Sequence, residues 1–174
     1  DLQQDTLSRR AVVALERGAF DRAIELAGEA AELSRHLGDL DRLLVNRCHG
    51  ADARIRCGLS ADAVTELRGL LDGPLDRAEP RNVDYARMVL ADAMMRSDRG
   101  EDAAIRDLLD GCRRRARRRG AMRPHLFSLV LELERRARPE CPDAFTAAWR
   151  EYETVVADSH SPPPGASTRP SWRT

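Results

Sequence analysis

Lysine is absent from this 174-residue chain, and all 29 of its basic residues are arginine. Asparagine occurs only as Asn46 and Asn82, and the two deficits together point to a GC-rich bacterial genome as the source. Aromatics make up 4% of residues while alanine and leucine dominate the apolar set, a balance that favours helices over sheets. The longest apolar stretch, near Leu126 to Leu133, is broken by Ser128 and Glu132. It falls far short of the roughly 20 residues that span a bilayer. No charged segment leading into an apolar one opens the chain, and the start at Asp1 reads as a cut end of a longer protein. Cys48, Cys57, Cys112 and Cys141 form no Cys-x-x-Cys pair, which excludes the usual zinc and redox motifs and fits reduced thiols in the cytoplasm.

Catalytic chemistry finds no foothold either. Cys48 and His49 are adjacent, but neighbours on a helix point about 100° apart and cannot act as nucleophile and base. His36, His49, His125 and His160 have no metal-ligand spacing, and no glycine-rich phosphate loop occurs. The expectation is a protein without enzymatic activity, metal or cofactor.

What the chain does contain is a repeat. Gly18-Ala19-Phe20-Asp21-Arg22-Ala23-Ile24 is echoed by Gly58-Leu59-Ser60-Ala61-Asp62-Ala63-Val64, then by Gly100-Glu101-Asp102-Ala103-Ala104-Ile105, and faintly by Pro142-Asp143-Ala144-Phe145. The aligned alanines, Ala23, Ala63, Ala104 and Ala144, step by 40, 41 and 40 residues. A constant step of this size marks stacked units, each of which buries its apolar face against its neighbours. Apolar spacing of three and four predicts helices over 3–17, 21–37, 41–57, 61–72, 80–97, 103–119, 124–137 and 143–157. Ala23, Ala27, Ala30, Leu33 and Leu37 line one face of the second, and Leu108, Cys112 and Ala116 one face of the sixth. Trp149 and Tyr152 are expected to pack inward on Leu129, Val130 and Leu133. Gly58 is placed to end the third helix in a left-handed conformation, and Pro80 to open the fifth. Residues 1–158 thus form one helical repeat domain, and 159–174, with Pro162-Pro163-Pro164, a disordered tail.

The turn pattern, glycine then an aromatic two residues on and alanine three after that, resembles the tetratricopeptide repeat. Leu7, Ala11, Gly18, Phe20, Ala23, Ala27 and Ala30 carry the match; the second unit keeps Ala51, Gly58 and Ala63 but has Ser60 for the aromatic. The family's usual period is about 34 residues, so the likeness is to longer-helix arrays such as those of bacterial regulators and kinesin light chains. The resemblance implies an all-α fold of antiparallel hairpins stacked as a right-handed solenoid, whose first helices line a concave face that holds a peptide or partner domain. Carried over by position, that face comprises Ser8, Val12, Asp52, Arg56, Val89 and Arg96. The clamp by which some members hold a C-terminal carboxylate uses lysines and asparagines at these positions, so the absence of lysine excludes a chaperone adaptor of that kind.

Charge adds one more feature. Net charge is zero, but residues 1–80 carry 11 Arg against 15 acids and residues 81–174 carry 18 against 14, so the two halves differ in sign. Six arginines fall between 113 and 119, interrupted only by Ala116. A solvated helix end accounts for such a run, because cations stabilise a helix C-terminus. The functional alternative is a patch, with Arg114 and Arg118 on one face, that docks an acidic protein surface. Zero net charge and the lack of interleaved aromatics argue against nucleic acid. Two functions fit: a protein-interaction scaffold or recruiting module, and a ligand- or peptide-sensing domain of a larger bacterial regulator.

Overall fold

Three glycines set the spacing of this fold. A computed structural model describes residues 2–97, 102–120, 130–131, 149–150, 152–154 and 156. Gly18, Gly38 and Gly58 have φ of 74°, 70° and 86°, the left-handed region that side-chain-bearing residues avoid. At the first, Gly18 N–H donates to Leu15 O at 3.1 Å and Ala19 N–H to Ala14 O at 2.9 Å; the same pair of bonds recurs at Gly38 with Asp39 and at Gly58 with Leu59. These bonds satisfy carbonyls that a helix end leaves open, and the chain turns back in three residues.

The helices between these turns are α1 (Leu2–Glu16), α2 (Phe20–His36), α3 (Leu40–Arg56), α4 (Ser60–Leu71), α5 (Pro80–Arg96) and α6 (Asp102–Arg118). No strand occurs among the described residues. Pro80 occupies the first turn of α5, where its missing N–H leaves no bond unmade. Asp39 caps α3 by accepting from Arg42 N–H at 3.0 Å. The starts at Phe20, Leu40, Ser60 and Pro80 are evenly spaced by 20 residues, so the repeat of 40 divides into two equal halves.

Each helix packs on the next, from α1 to α6, and α3 additionally meets both α1 and α5. No such contact joins α2 to α4 or α4 to α6. Odd-numbered helices therefore form one touching rank, and even-numbered ones sit outside it. Small side chains allow the close approach: Ala23, Ala27, Ala30, Ala31 and Ala53 are buried, and a Cβ added at Gly50 of α3 would lie 3.5 Å from that of Ala27 on α2. Leu44, Leu67, Leu90 and Leu109 fill a larger core between α3, α4, α5 and α6, which Leu131 joins. A buried polar chain crosses α1, α2 and α3, where Gln4 Nε2 and Asn46 Nδ2 both donate to Ser34 Oγ, at 2.7 and 3.1 Å. The Ser34 hydroxyl in turn donates a hydrogen bond to Ala30 O at 2.7 Å, so its oxygen accepts two bonds and gives one.

Several expectations change. Leu37 lies beyond the last turn of α2 and is exposed. Cys112 and Ala116 of the expected α6 face are buried, but the fully buried leucine beside them is Leu109, with Ile105 one turn before it, and Leu108 packs only partly against the core. Cys57 ends α3 and is exposed, whereas Cys48 is buried; both, with Cys112, are free thiols. Trp149 is 43% exposed and stacks at 5.6 Å on Tyr152, so it is not a core residue. The fourth hairpin otherwise falls outside the described residues, as do the boundary at 158 and the 159–174 tail.

Candidate functional site

Four of the six positions assigned to the concave face meet in one cleft. Asp52 and Arg56 from α3 and Val89 and Arg96 from α5 line a cavity of about 410 Å3, together with Tyr85, Asp92, Val130 and Leu131. The pairing of α3 with α5 in the odd-numbered rank is what brings Asp52 with Asp92 and Arg56 with Arg96, each 40 apart in sequence, to a shared opening. Val89 is buried and, with Leu131, forms an apolar floor. Two ion pairs form the walls: Arg56 Nε to Asp52 Oδ1 at 3.1 Å, and Arg96 Nε to Asp92 Oδ1 at 2.7 Å. Both arginines are about half exposed, and in each pair the carboxylate fixes the direction of the guanidinium.

Beneath the cleft, burial dominates the titratable groups. Desolvation pushes the Tyr85 hydroxyl well above its usual range, helped by the negative charge of Asp52 nearby. Burial likewise drives the Cys48 thiol far up, with Glu66 and Asp52 adding to the effect, so it stays protonated and carries no nucleophilic thiolate. His49 is held below its ordinary value of 6.5 by burial, against a smaller opposing pull from Asp52. Its Nδ1 is buried without a hydrogen-bond partner among the described residues. Among the described residues no group of three His, Cys, Asp or Glu side chains lies together in a way that could hold a metal ion.

Ser8 does not reach this cleft. It lines a second opening of about 370 Å3 with Asp5, Asp39, Asp41, Arg42 and Arg81, among others. There Arg42 pairs with Asp5 and, at 3.3 Å, with Asp39, and Asp41 Oδ1 accepts from Glu79 N–H at 2.7 Å and Asn82 Nδ2 at 2.8 Å. The carboxylate of Asp41 thus ties the start of α3 to the start of α5. Val12 is half-buried on α1 and belongs to neither opening. Tyr85 and Asp92 were not foreseen, although Asp92 stands 40 residues after Asp52 with its own arginine four residues on, a repeat readable in the sequence.

Five of the six arginines in the run divide into two sets. Arg113 pairs with Asp110, and Arg115 and Arg119 both reach Asp84 of α5, so these three have carboxylate partners within the fold. Ala116 is buried between them, as expected. Arg114 and Arg118 are exposed and make no ion pair with any described residue. Among the described residues no helix is long and apolar enough to cross a membrane. No protein-family profile matches the sequence, and no curated protein or solved structure matches it either.

Proposed function

We propose that the chain is a non-catalytic protein-interaction module, a right-handed solenoid of tetratricopeptide-like hairpins that holds a peptide or partner domain on its odd-numbered helices. The observation that carries this reading is the cleft of α3 and α5, where Asp52–Arg56 and Asp92–Arg96 repeat the same pair on adjacent helices over an apolar floor. A peptide bound there meets apolar surface for affinity and fixed charges for register. Burial of Cys48 in its protonated form leaves no thiolate at that position beneath the cleft.

A photo-crosslinking residue at position 56 or 96 tests the proposal against one at position 25, on the outward face of α2. Crosslinks to the same partner from 56 and 96 and none from 25 are expected. Equal labelling from all three positions overturns the assignment of the face. A second reading, a sensor for a small molecule or signalling peptide, draws on the cavity volume of about 410 Å3, which is in the range of ligand sites. It predicts that a ligand of that size, and not a macromolecule, protects positions 56 and 96 from crosslinking.

A further inference from the structure

Asp84 lies on α5 with its side chain 4% exposed, and three guanidinium groups from two helices converge on it. Arg115 donates from Nε to Oδ1 at 2.6 Å, Arg119 from Nη1 to Oδ2 at 3.0 Å, and Arg87 from Nη1 to Oδ1 at 3.3 Å. A buried carboxylate is neutralised by one cation, and gathering three like charges at one point is unfavourable unless something offsets their repulsion. Asp84 offsets one, so two positive charges remain in excess. Arg87, Arg115 and Arg119 make no ion pair with any other described carboxylate.

The donors are unspent as well. A guanidinium offers five N–H groups in a planar fork. Arg87 and Arg119 each give one to Asp84, and Arg115 gives one to Asp84 and another to Cys112 Sγ at 3.4 Å. All three side chains are partly exposed, so the cluster is open to solvent. We propose that the Arg87–Arg115–Arg119 cradle, anchored by Asp84 between α5 and α6, binds a phosphoryl group. A tetrahedral dianion matches both the charge excess and the forked donors. Asp84 fixes the three forks before the anion arrives, which reduces the ordering cost of binding. The site is on other helix faces than the α3–α5 cleft, so it stands or falls apart from the peptide-binding reading.

Thermal denaturation of the full chain in inorganic phosphate, against chloride at equal ionic strength, is the test. Phosphate is expected to raise the melting temperature saturably, as a ligand of the native state does. Arg87→Gln or Arg119→Gln should weaken the apparent affinity by about tenfold or more, the loss of one charge-assisted contact. Arg114→Gln with Arg118→Gln should leave it intact, since those side chains lie off the cradle. Equal responses to phosphate and chloride, or a phosphate response that survives Arg87→Gln and Arg119→Gln, overturn the proposal. Should those variants not fold, the arginine Nε–H resonances of the unaltered protein decide: phosphate must move those of Arg87, Arg115 and Arg119, and movement confined to Arg114 and Arg118 refutes the cradle. A phosphoserine peptide that displaces phosphate at lower concentration than phosphate itself assigns the group to a modified side chain. Equal or weaker displacement assigns it to a free phosphate compound.

Discussion

Asp52 and Asp92 occupy equivalent places on α3 and α5, each bound through Oδ1 to the arginine one turn later. Exposed pairs four residues apart contribute only about 0.3–0.5 kcal/mol each. Arg56→Glu with Arg96→Glu should therefore change the denaturation midpoint little while abolishing binding of a partner at the cleft. A large loss of stability would mean that the pairs hold α3 and α5 together.

Asp84 is different in kind, because its partners are left facing one another when it is removed. Breaking a buried ion pair costs about 3–5 kcal/mol. Asp84→Ala is expected in that range by chemical denaturation, and a cost below about 1 kcal/mol would show that its arginines find water instead.

Trp149 should behave as a surface residue. Truncation of a buried aromatic costs about 3–5 kcal/mol, but at 43% exposure with Tyr152 as its ring partner the loss for Trp149→Ala should stay near or below about 1 kcal/mol. A tryptophan emission maximum typical of a dry core would contradict this, with Trp172 replaced by Phe to isolate the signal.

Acid should weaken the fold through His49. Its folded pKa lies below the ordinary value of 6.5, so the unfolded chain binds the proton first. The contribution is fully present above pH 6.5 and is lost as pH falls through the folded value. Urea midpoints at pH 7.5 and 5.5 should differ less for His49→Gln than for the unaltered chain. An unchanged difference would remove His49 as the cause.

Arg114 and Arg118 offer the separate prediction of a charged docking face. Reversal of both to Glu should abolish capture of an acidic partner at low salt with almost no change in melting temperature, and matter less at high salt where such contacts are screened. Capture that persists at low salt would return these two side chains to a solvated helix end.

Helix boundaries were legible because they rest on local chemistry: glycine at a left-handed position and proline in a first turn act through backbone geometry alone. The cleft was legible in part, since Asp52, Arg56, Val89 and Arg96 follow from repeat position. Ser8 departed from it because α1 meets only α3 in the odd-numbered rank, and so opens beside Asp41 and Arg42 instead. Asp84 was missed because a carboxylate between Val83 and Tyr85 reads as a solvent position. Its pairing with Arg87, three residues on, is an ordinary surface one, and the partners that mark it as buried, Arg115 and Arg119, lie 31 and 35 residues away. On α6, Cys112 and Ala116 were legible, but consecutive leucines at 108 and 109 leave it to tertiary packing which of the two is fully buried.

The unequal contacts of the two helix ranks make the molecule resemble a bound book. α1, α3 and α5 touch in sequence like gathered pages at a spine, while α2 and α4 are leaves that do not touch each other. Opening such a book moves its leaves far and its spine little. A splay of neighbouring hairpins hinged at the odd-numbered rank would accordingly keep α3 against α5 and be resisted mainly where α4 packs on α5, so a groove along the spine would keep its support as the outer helices part.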